Sequence, residues 1–139
     1  LGEHDENITY ERTVELVGAE RAAQLRDLSL EIYRRAAALA EKRGVILADT
    51  KFEFGVDEEG VLRLADEVLT SDSSRYWDAA AWQDGSTPAE RMASFDKQIV
   101  RNHLIQSGWD REPPVPELPA EIVEQTAARY REIMHRLTA

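Results

Sequence analysis

Val45-Ile46-Leu47-Ala48-Asp49-Thr50-Lys51-Phe52-Glu53-Phe54-Gly55 is the stretch on which the fold turns. It is short, branched and aromatic, and it alternates in polarity, which is the period of a strand rather than a helix. Ile46, Ala48, Phe52 and Phe54 take the even positions, while Asp49, Lys51 and Glu53 take odd ones. Side chains alternate faces along a strand, so the three charges are expected on one face, with Asp49 and Glu53 roughly 13 Å apart. Asp57-Glu58-Glu59-Gly60 reads as a turn and Val61 to Leu69 as the returning strand of a hairpin. That register sets Lys51 opposite Asp66, with Glu53 and Asp66 as diagonal neighbours about 7–8 Å apart. Two carboxylates converging there could hold Mg²⁺, which prefers hard oxygen ligands. Two plainer readings stand beside this one: a solvated outer sheet face, and a simple Lys51–Asp66 cross-strand pair. A one-residue slip would separate the faces altogether.

Outward from the hairpin the pattern becomes helical. Thr9 followed by Tyr10-Glu11-Arg12 predicts a helix start, with Gly18 as its end. From Glu20 to about Arg43, apolar residues recur at helical spacing and Gly44 follows as a C′ glycine. Beyond the hairpin, residues 70–87 read as irregular chain. A helix follows from near Pro88 or Ser94 to Gln106, stopped by Gly108, and then an extended run Glu112-Pro113-Pro114-Val115-Pro116. Pro119 opens a last helix whose stripe includes Ile122, Val123, Tyr130, Ile133 and Leu137. The expected class is α+β, an antiparallel hairpin packed with helices: helices over about 9–43, hairpin over about 45–69, loop over about 70–87 and C-terminal helices over about 88–138.

Composition narrows the function classes. The 139 residues are 42% hydrophobic, enough for a core, and carry a formal net charge of -10. Such a surface repels phosphate backbones and argues against nucleic-acid partners, although a local cation cluster or a divalent ion can reverse the field inside a cleft. Without cysteine there is neither a disulfide framework nor a thiolate zinc site. No apolar run approaches the roughly 20 residues that span a bilayer. The polar opening Gly2-Glu3-His4-Asp5-Glu6-Asn7 is unlike a signal peptide, so a cytoplasmic protein without membrane partners is expected. The first residue is Leu1 rather than Met, as in a chain that begins partway through a longer protein.

Other side chains could carry chemistry. Asp72-Ser73-Ser74-Arg75 sets two hydroxyls beside a guanidinium, a set suited to phosphate or carboxylate, although by pattern alone such a string is more often an ordinary Ser/Asp turn with a surface Arg. Lys97 and Arg101 share a helix face, as an extension of an anion site or as a solvated basic stripe. His4, His103 and His135 lack metal-ligand spacing, and Trp77, Trp82 and Trp109 read as packing residues. No Ser-His-Asp arrangement, Walker-type loop or dinucleotide fingerprint is present.

The string Leu47-Ala48-Asp49-Thr50-Lys51-Phe52-Glu53-Phe54-Gly55 is similar to the second signature of the SAICAR synthetase family. Further strings follow in that family's order: Gly2-Glu3-His4-Asp5-Glu6-Asn7-Ile8, Asp66-Glu67-Val68-Leu69-Thr70, Asp72-Ser73-Ser74-Arg75-Tyr76-Trp77, Ser94-Phe95-Asp96-Lys97-Gln98 and Gly108-Trp109-Asp110. Pro113-Pro114-Val115-Pro116-Glu117-Leu118-Pro119 also matches, so the resemblance covers essentially the whole chain. Ser71 departs from it, standing where many relatives carry Pro. The family's first signature and its glycine-containing nucleotide loop are not in these residues, so the chain resembles a C-terminal half.

The resemblance implies an ATP-grasp-like architecture with its active site in a cleft between two halves. ATP would phosphorylate the carboxylate of a carboxyaminoimidazole ribonucleotide, and the amine of L-aspartate would displace phosphate to form an amide. Carried over by motif, Glu53 and Asp66 would contact Mg²⁺ and ATP phosphates. Lys51 would contact nucleotide, and Asp49 would stand between the nucleotide and imidazole sites, with Lys51 and Asp49 as the catalytic pair. Ser73, Ser74 and Arg75 resemble the ribonucleotide-binding loop, with Lys97 and Arg101 as further anion contacts. The implied partners are these small molecules and the N-terminal half, and a homo-oligomer is left open. The alternative is a non-catalytic half-enzyme that serves only as a nucleotide-binding or structural fragment. The chain alone is accordingly expected to give little or no turnover with Mg²⁺-ATP, ribonucleotide and aspartate, and substrate-dependent release of ADP in a coupled assay would overturn that.

Overall fold

The computed structural model describes residues 6–95 and 98–139, which form two compact units, divided between Arg34 and Arg35. In the first unit, Thr9 caps α1 (Tyr10–Val17) by accepting the Arg12 amide at 3.1 Å, which satisfies one of the orphan donors of a helix start. Gly18 ends α1 with φ +84°, and α2 (Ala19–Glu41) follows at once. The guanidinium of Arg26 lies 5.3 Å from the ring centre of Tyr10. The regular part of α2 stops at Glu41, two residues short of the expected Arg43, before Gly44 takes φ +68°.

The second unit departs from the single hairpin. Residues 45–55 are two strands, β1 (Val45–Thr50) and β2 (Glu53–Val56), parted at Lys51-Phe52. β2 makes the hairpin with β3 (Leu62–Ala65), turned at Asp57, whose carboxylate accepts the amides of Glu59 and Val61. β1 pairs instead with β4 (Ser74–Asp78), which lies inside the stretch read as irregular. Two separate antiparallel two-stranded sheets result, and the class is α+β.

A bulge in β1 corrects the expected facing. Leu47 pairs with Tyr76 and Asp49 with Arg75, leaving Ala48 as the extra residue. The buried residues of β1 are therefore Val45 and Leu47, at odd positions, against the expected apolar face of even ones. They share a face with Tyr76 and Ser74, which are buried too. Regular alternation would leave Asp49 on that buried face. The bulge carries it to the other side, opposite exposed Arg75.

The far edge of β4 is covered by residues 93–95. Phe95 donates its amide to the Tyr76 carbonyl at 3.1 Å, Asp78 donates to Ala93 at 3.2 Å, and Trp77 bridges Ser94. Asp78 also caps α3 (Ala79–Asp84), accepting the Ala81 amide at 2.8 Å. The helix expected from position 88 or 94 is two elements, α4 (Pro88–Arg91), opened by a Thr87–Glu90 capping box, and α5 (Gln98–Gln106). Pro119 precedes α6 (Ala120–Thr138). Ala40, Val45, Leu47, Tyr76, Phe95 and Ile133 form the buried apolar set of this unit. Ile133 is 1% exposed, so Ile133→Ala is expected to lower the unfolding free energy by about 2–5 kcal/mol, read as a reduced midpoint in urea denaturation.

Candidate functional site

The loop between β3 and β4 determines where the acidic side chains meet. Glu53 pairs with Ala65 rather than lying diagonal to Asp66, and the ladder ends there. Asp66 is the next residue and takes φ +58°, a left-handed conformation uncommon outside glycine, so it leaves the sheet. The expected Lys51–Asp66 rung is therefore absent, displaced by a one-residue difference in register. The residues still converge, by another route. Lys51, Glu53, Asp66, Glu67, Asp72 and Ser73 line one cavity of about 180 Å³. Lys51 Nζ lies 2.8 Å from Glu53 Oε1, and the Lys51 amide bonds the Ser73 carbonyl at 3.1 Å, extending the β1–β4 ladder by one contact.

Four carboxylates and one ammonium give this cavity a negative balance, which favours a cation. Among the described residues no three His, Cys, Asp or Glu side chains are grouped as a metal cage. Mg²⁺ is usually held by only one or two carboxylates, with waters and phosphate oxygens completing its octahedron, so the donors Glu53 and Asp66 fit it. The loop has its own scaffold. Thr70 and Ser73 exchange hydrogen bonds, each amide donating to the other's hydroxyl at 3.1 Å, and Thr70 Oγ1 donates to Glu67. Leu69 takes φ +59°, and its carbonyl accepts the buried Tyr76 hydroxyl at 2.6 Å.

Ser74 has a different place from its neighbours. Its hydroxyl is buried and donates to Thr50 Oγ1 at 2.8 Å, pinning β4 to β1, with Ser73 Oγ at 3.3 Å. Arg75 points from the opposite face. Its Nε lies 3.0 and 2.8 Å from the two Asp49 oxygens, and Nη2 also bonds Oδ2. This hydrogen bonding holds the Asp49 carboxyl below its ordinary range, against a smaller opposing effect of burial.

Arg75 also lines a second concavity, a cleft of about 470 Å³ between β4, α4 and α5. Trp77, Met92, Ser94, Gln98 and Arg101 contribute to its wall. Among the described residues no carboxylate lines it, so the Arg101 guanidinium and the part of Arg75 not turned to Asp49, with amide and hydroxyl groups, suit it to an anion. The acidic cavity and the basic cleft adjoin in sequence, since Ser73 lines the first and Arg75 the second. Lys97 and His4 lie outside the described residues. Trp77, Ser94, Gln98 and Met92 are cleft residues that sequence reasoning missed. Ser74-Arg75-Tyr76-Trp77-Asp78 does not alternate apolar with polar residues, so periodicity gives no signal for this strand, and the aromatic pair Tyr76-Trp77 is its β-prone feature. Trp77 packs, as expected of a tryptophan, stacking on Trp82 at 5.1 Å, and it lines the cleft as well.

Residues 2–116 match the family model described as SAICAR synthetase. Phosphoribosylaminoimidazole-succinocarboxamide synthase of Leifsonia xyli subsp. xyli is 70% identical over 139 residues, covering 99% of this chain and 46% of that protein. The enzyme of the same name from Corynebacterium diphtheriae is 56% identical over 142 residues, again 46% of its length. The solved SAICAR synthase of Saccharomyces cerevisiae complexed with SAICAR superposes at TM-score 0.84 with 38% identity, over 96% of this chain and 44% of that one. A type-2 SAICAR synthetase in complex with ADP gives TM-score 0.65 at 27% identity, over 97% of this chain and 46% of that one. The chain thus spans about half the length of the curated relatives it matches.

The Asp49–Arg75 pair has a definite pH signature. A depressed carboxylate contributes stability above its unfolded value, near 3.8, and loses that contribution as pH falls through the lower folded value. The urea-midpoint gap between wild type and Asp49→Asn is therefore expected to be present at neutral pH and to close on acidification below the ordinary carboxylate range. A gap independent of pH would contradict the pairing.

Proposed function

The chain belongs to the SAICAR synthetase family, and on that premise we propose that it supplies the C-terminal part of the active site of an ATP-dependent ligase of purine biosynthesis. In this reading the whole enzyme joins L-aspartate to the carboxylate of the carboxyaminoimidazole ribonucleotide. ATP transfers its γ-phosphoryl group to that carboxylate with release of ADP. The amine of aspartate then attacks the acyl phosphate, losing a proton and expelling phosphate as the amide forms. The whole enzyme in this reading has an ATP-grasp-like arrangement, with the site between two halves.

The observation that carries the reading is the adjacency of an acidic cavity and a basic cleft at residues 73–75. A ligase that gathers three anionic substrates needs a place for phosphates with their counter-ion and a place for further anionic groups. Glu53 and Asp66 would hold Mg²⁺, which when bound supplies charge neutralisation on ATP phosphates. Lys51 would contact the nucleotide, its ammonium kept in place by Glu53. Asp49, oriented by Arg75, would stand at the boundary between nucleotide and imidazole. Ser73, Arg75, Lys97 and Arg101 would receive the ribonucleotide, while Ser74 acts by fixing the strand to Thr50.

One observation favours a second reading: the chain spans only about 46% of its relatives. It could then act as a nucleotide-binding or structural fragment until joined by an N-terminal half. Solubility in the cytoplasm suits either reading, and among the described residues no helix is long and apolar enough to cross a membrane. In a full-length enzyme carrying this sequence, Glu53→Gln is expected to lower kcat/KM for Mg²⁺-ATP by about 100-fold or more, since it removes a carboxylate that would hold the Mg²⁺ against the phosphates. Near wild-type kinetics in steady-state assays would remove the metal assignment.

A further inference from the structure

The C-terminal helix carries a cluster with no assigned part in the reaction. The guanidinium carbons of Arg129 and Arg136 lie 4.2 and 5.0 Å from the ring centre of Phe95, which is fully buried. Glu132 holds both arginines, accepting from Arg129 Nη1 through Oε2 at 2.6 Å and from Arg136 Nη2 through Oε1 at 2.6 Å. Arg136 Nη1 continues to Asp78 Oδ2 at 2.8 Å. A planar guanidinium can stack on an aromatic face while its edge makes hydrogen bonds, which a lysine ammonium cannot reproduce.

The cluster is linked to the walls of the basic cleft through their neighbours in the chain. Ser94 and Gln98, on either side of Phe95 in the chain, both line that cleft. Phe95 is tied to β4 through the Tyr76 carbonyl, and Asp78 is the last residue of β4, whose Arg75 and Trp77 form the opposite wall. One helix thereby contacts Phe95, the chain neighbour of cleft-lining Ser94, and Asp78, which ends β4.

We propose that Phe95, Arg129 and Arg136 are positioning residues, a clamp through which α6 sets the spacing between the two walls of the arginine-lined cleft and hence its affinity for the ribonucleotide. This rests on the reading of that cleft as a substrate site. None of the three lines the cleft; each acts through Ser94, Gln98, Arg75 or Trp77. Misplacement by about 1 Å can cost as much as roughly 100-fold in an enzyme, so modest slackness is measurable.

The test is steady-state kinetics of a full-length synthetase carrying this sequence, comparing wild type with Arg129→Lys, Arg136→Lys and Phe95→Leu. Each lysine variant keeps the charge beside Glu132 and loses the stacking plane. KM for the ribonucleotide is expected to rise about tenfold in each, with KM for Mg²⁺-ATP within about twofold of wild type. A role confined to stability would scale the apparent kcat with the folded fraction and leave every KM unchanged, and that outcome overturns the clamp. If Phe95→Leu does not fold, the lysine variants decide, because each keeps the positive charge beside Glu132 and the two arginine side chains are 28% and 32% exposed. Failure of the wild-type enzyme to form SAICAR sinks the cleft reading and the clamp with it, whereas unchanged KM values in an active enzyme sink the clamp alone.

Discussion

The pairing of β1 with β4 joins residues 45–50 to residues 74–78, and the arrangement of both concavities depends on it. Its inner face is made by Val45, Leu47, Tyr76 and Ser74, all buried, so register is enforced by burial rather than by the turn of a hairpin. On that fixed frame the extra residue Ala48 changes the side from which Asp49 emerges. An acidic side chain is thereby kept out of the core and delivered to Arg75. The same ladder extends through the Lys51 amide to the Ser73 carbonyl, which holds the start of the acidic cavity against its far wall.

Charge is partitioned locally in a chain whose net charge is strongly negative. Carboxylates gather where β2, β3 and the following loop meet, and guanidiniums gather between β4 and α5. Interactions between exposed charges fade beyond roughly 8–10 Å at ordinary ionic strength, so the two environments can differ although they adjoin. Arg75 both pairs with Asp49 and lines the cleft. A basic concavity of this size would not be inferred from a sequence pI of about 4.8.

Local signals were legible where local physics decides the outcome. Thr9, Gly18 and Gly44 mark helix ends through capping and left-handed geometry, and the apolar stripe of α6 leads to buried Ile133. The cluster Lys51, Glu53 and Asp66 was legible as a set of residues but not as a geometry. Alternation presumes a regular ladder, whereas the strand stops at Thr50 and Asp66 turns away with a positive φ. β4 was hidden because its five residues follow a Ser- and Asp-rich turn, and its partner lies about thirty positions earlier. Short strands draw their stability from non-local pairing, which single-sequence periodicity does not encode. The cleft needed the same long-range information, since its walls come from β4, α4 and α5.

The stacked indoles of Trp77 and Trp82 have an optical consequence. Their planes are 14° apart with centres 5.1 Å from one another, close enough for their electronic transitions to couple. One member of the pair lines the basic cleft and the other is 41% exposed, so the couple spans from the cleft wall to solvent. A ligand that touched Trp77 in that cleft would therefore be expected to perturb the near-ultraviolet signal of the pair, without an added label.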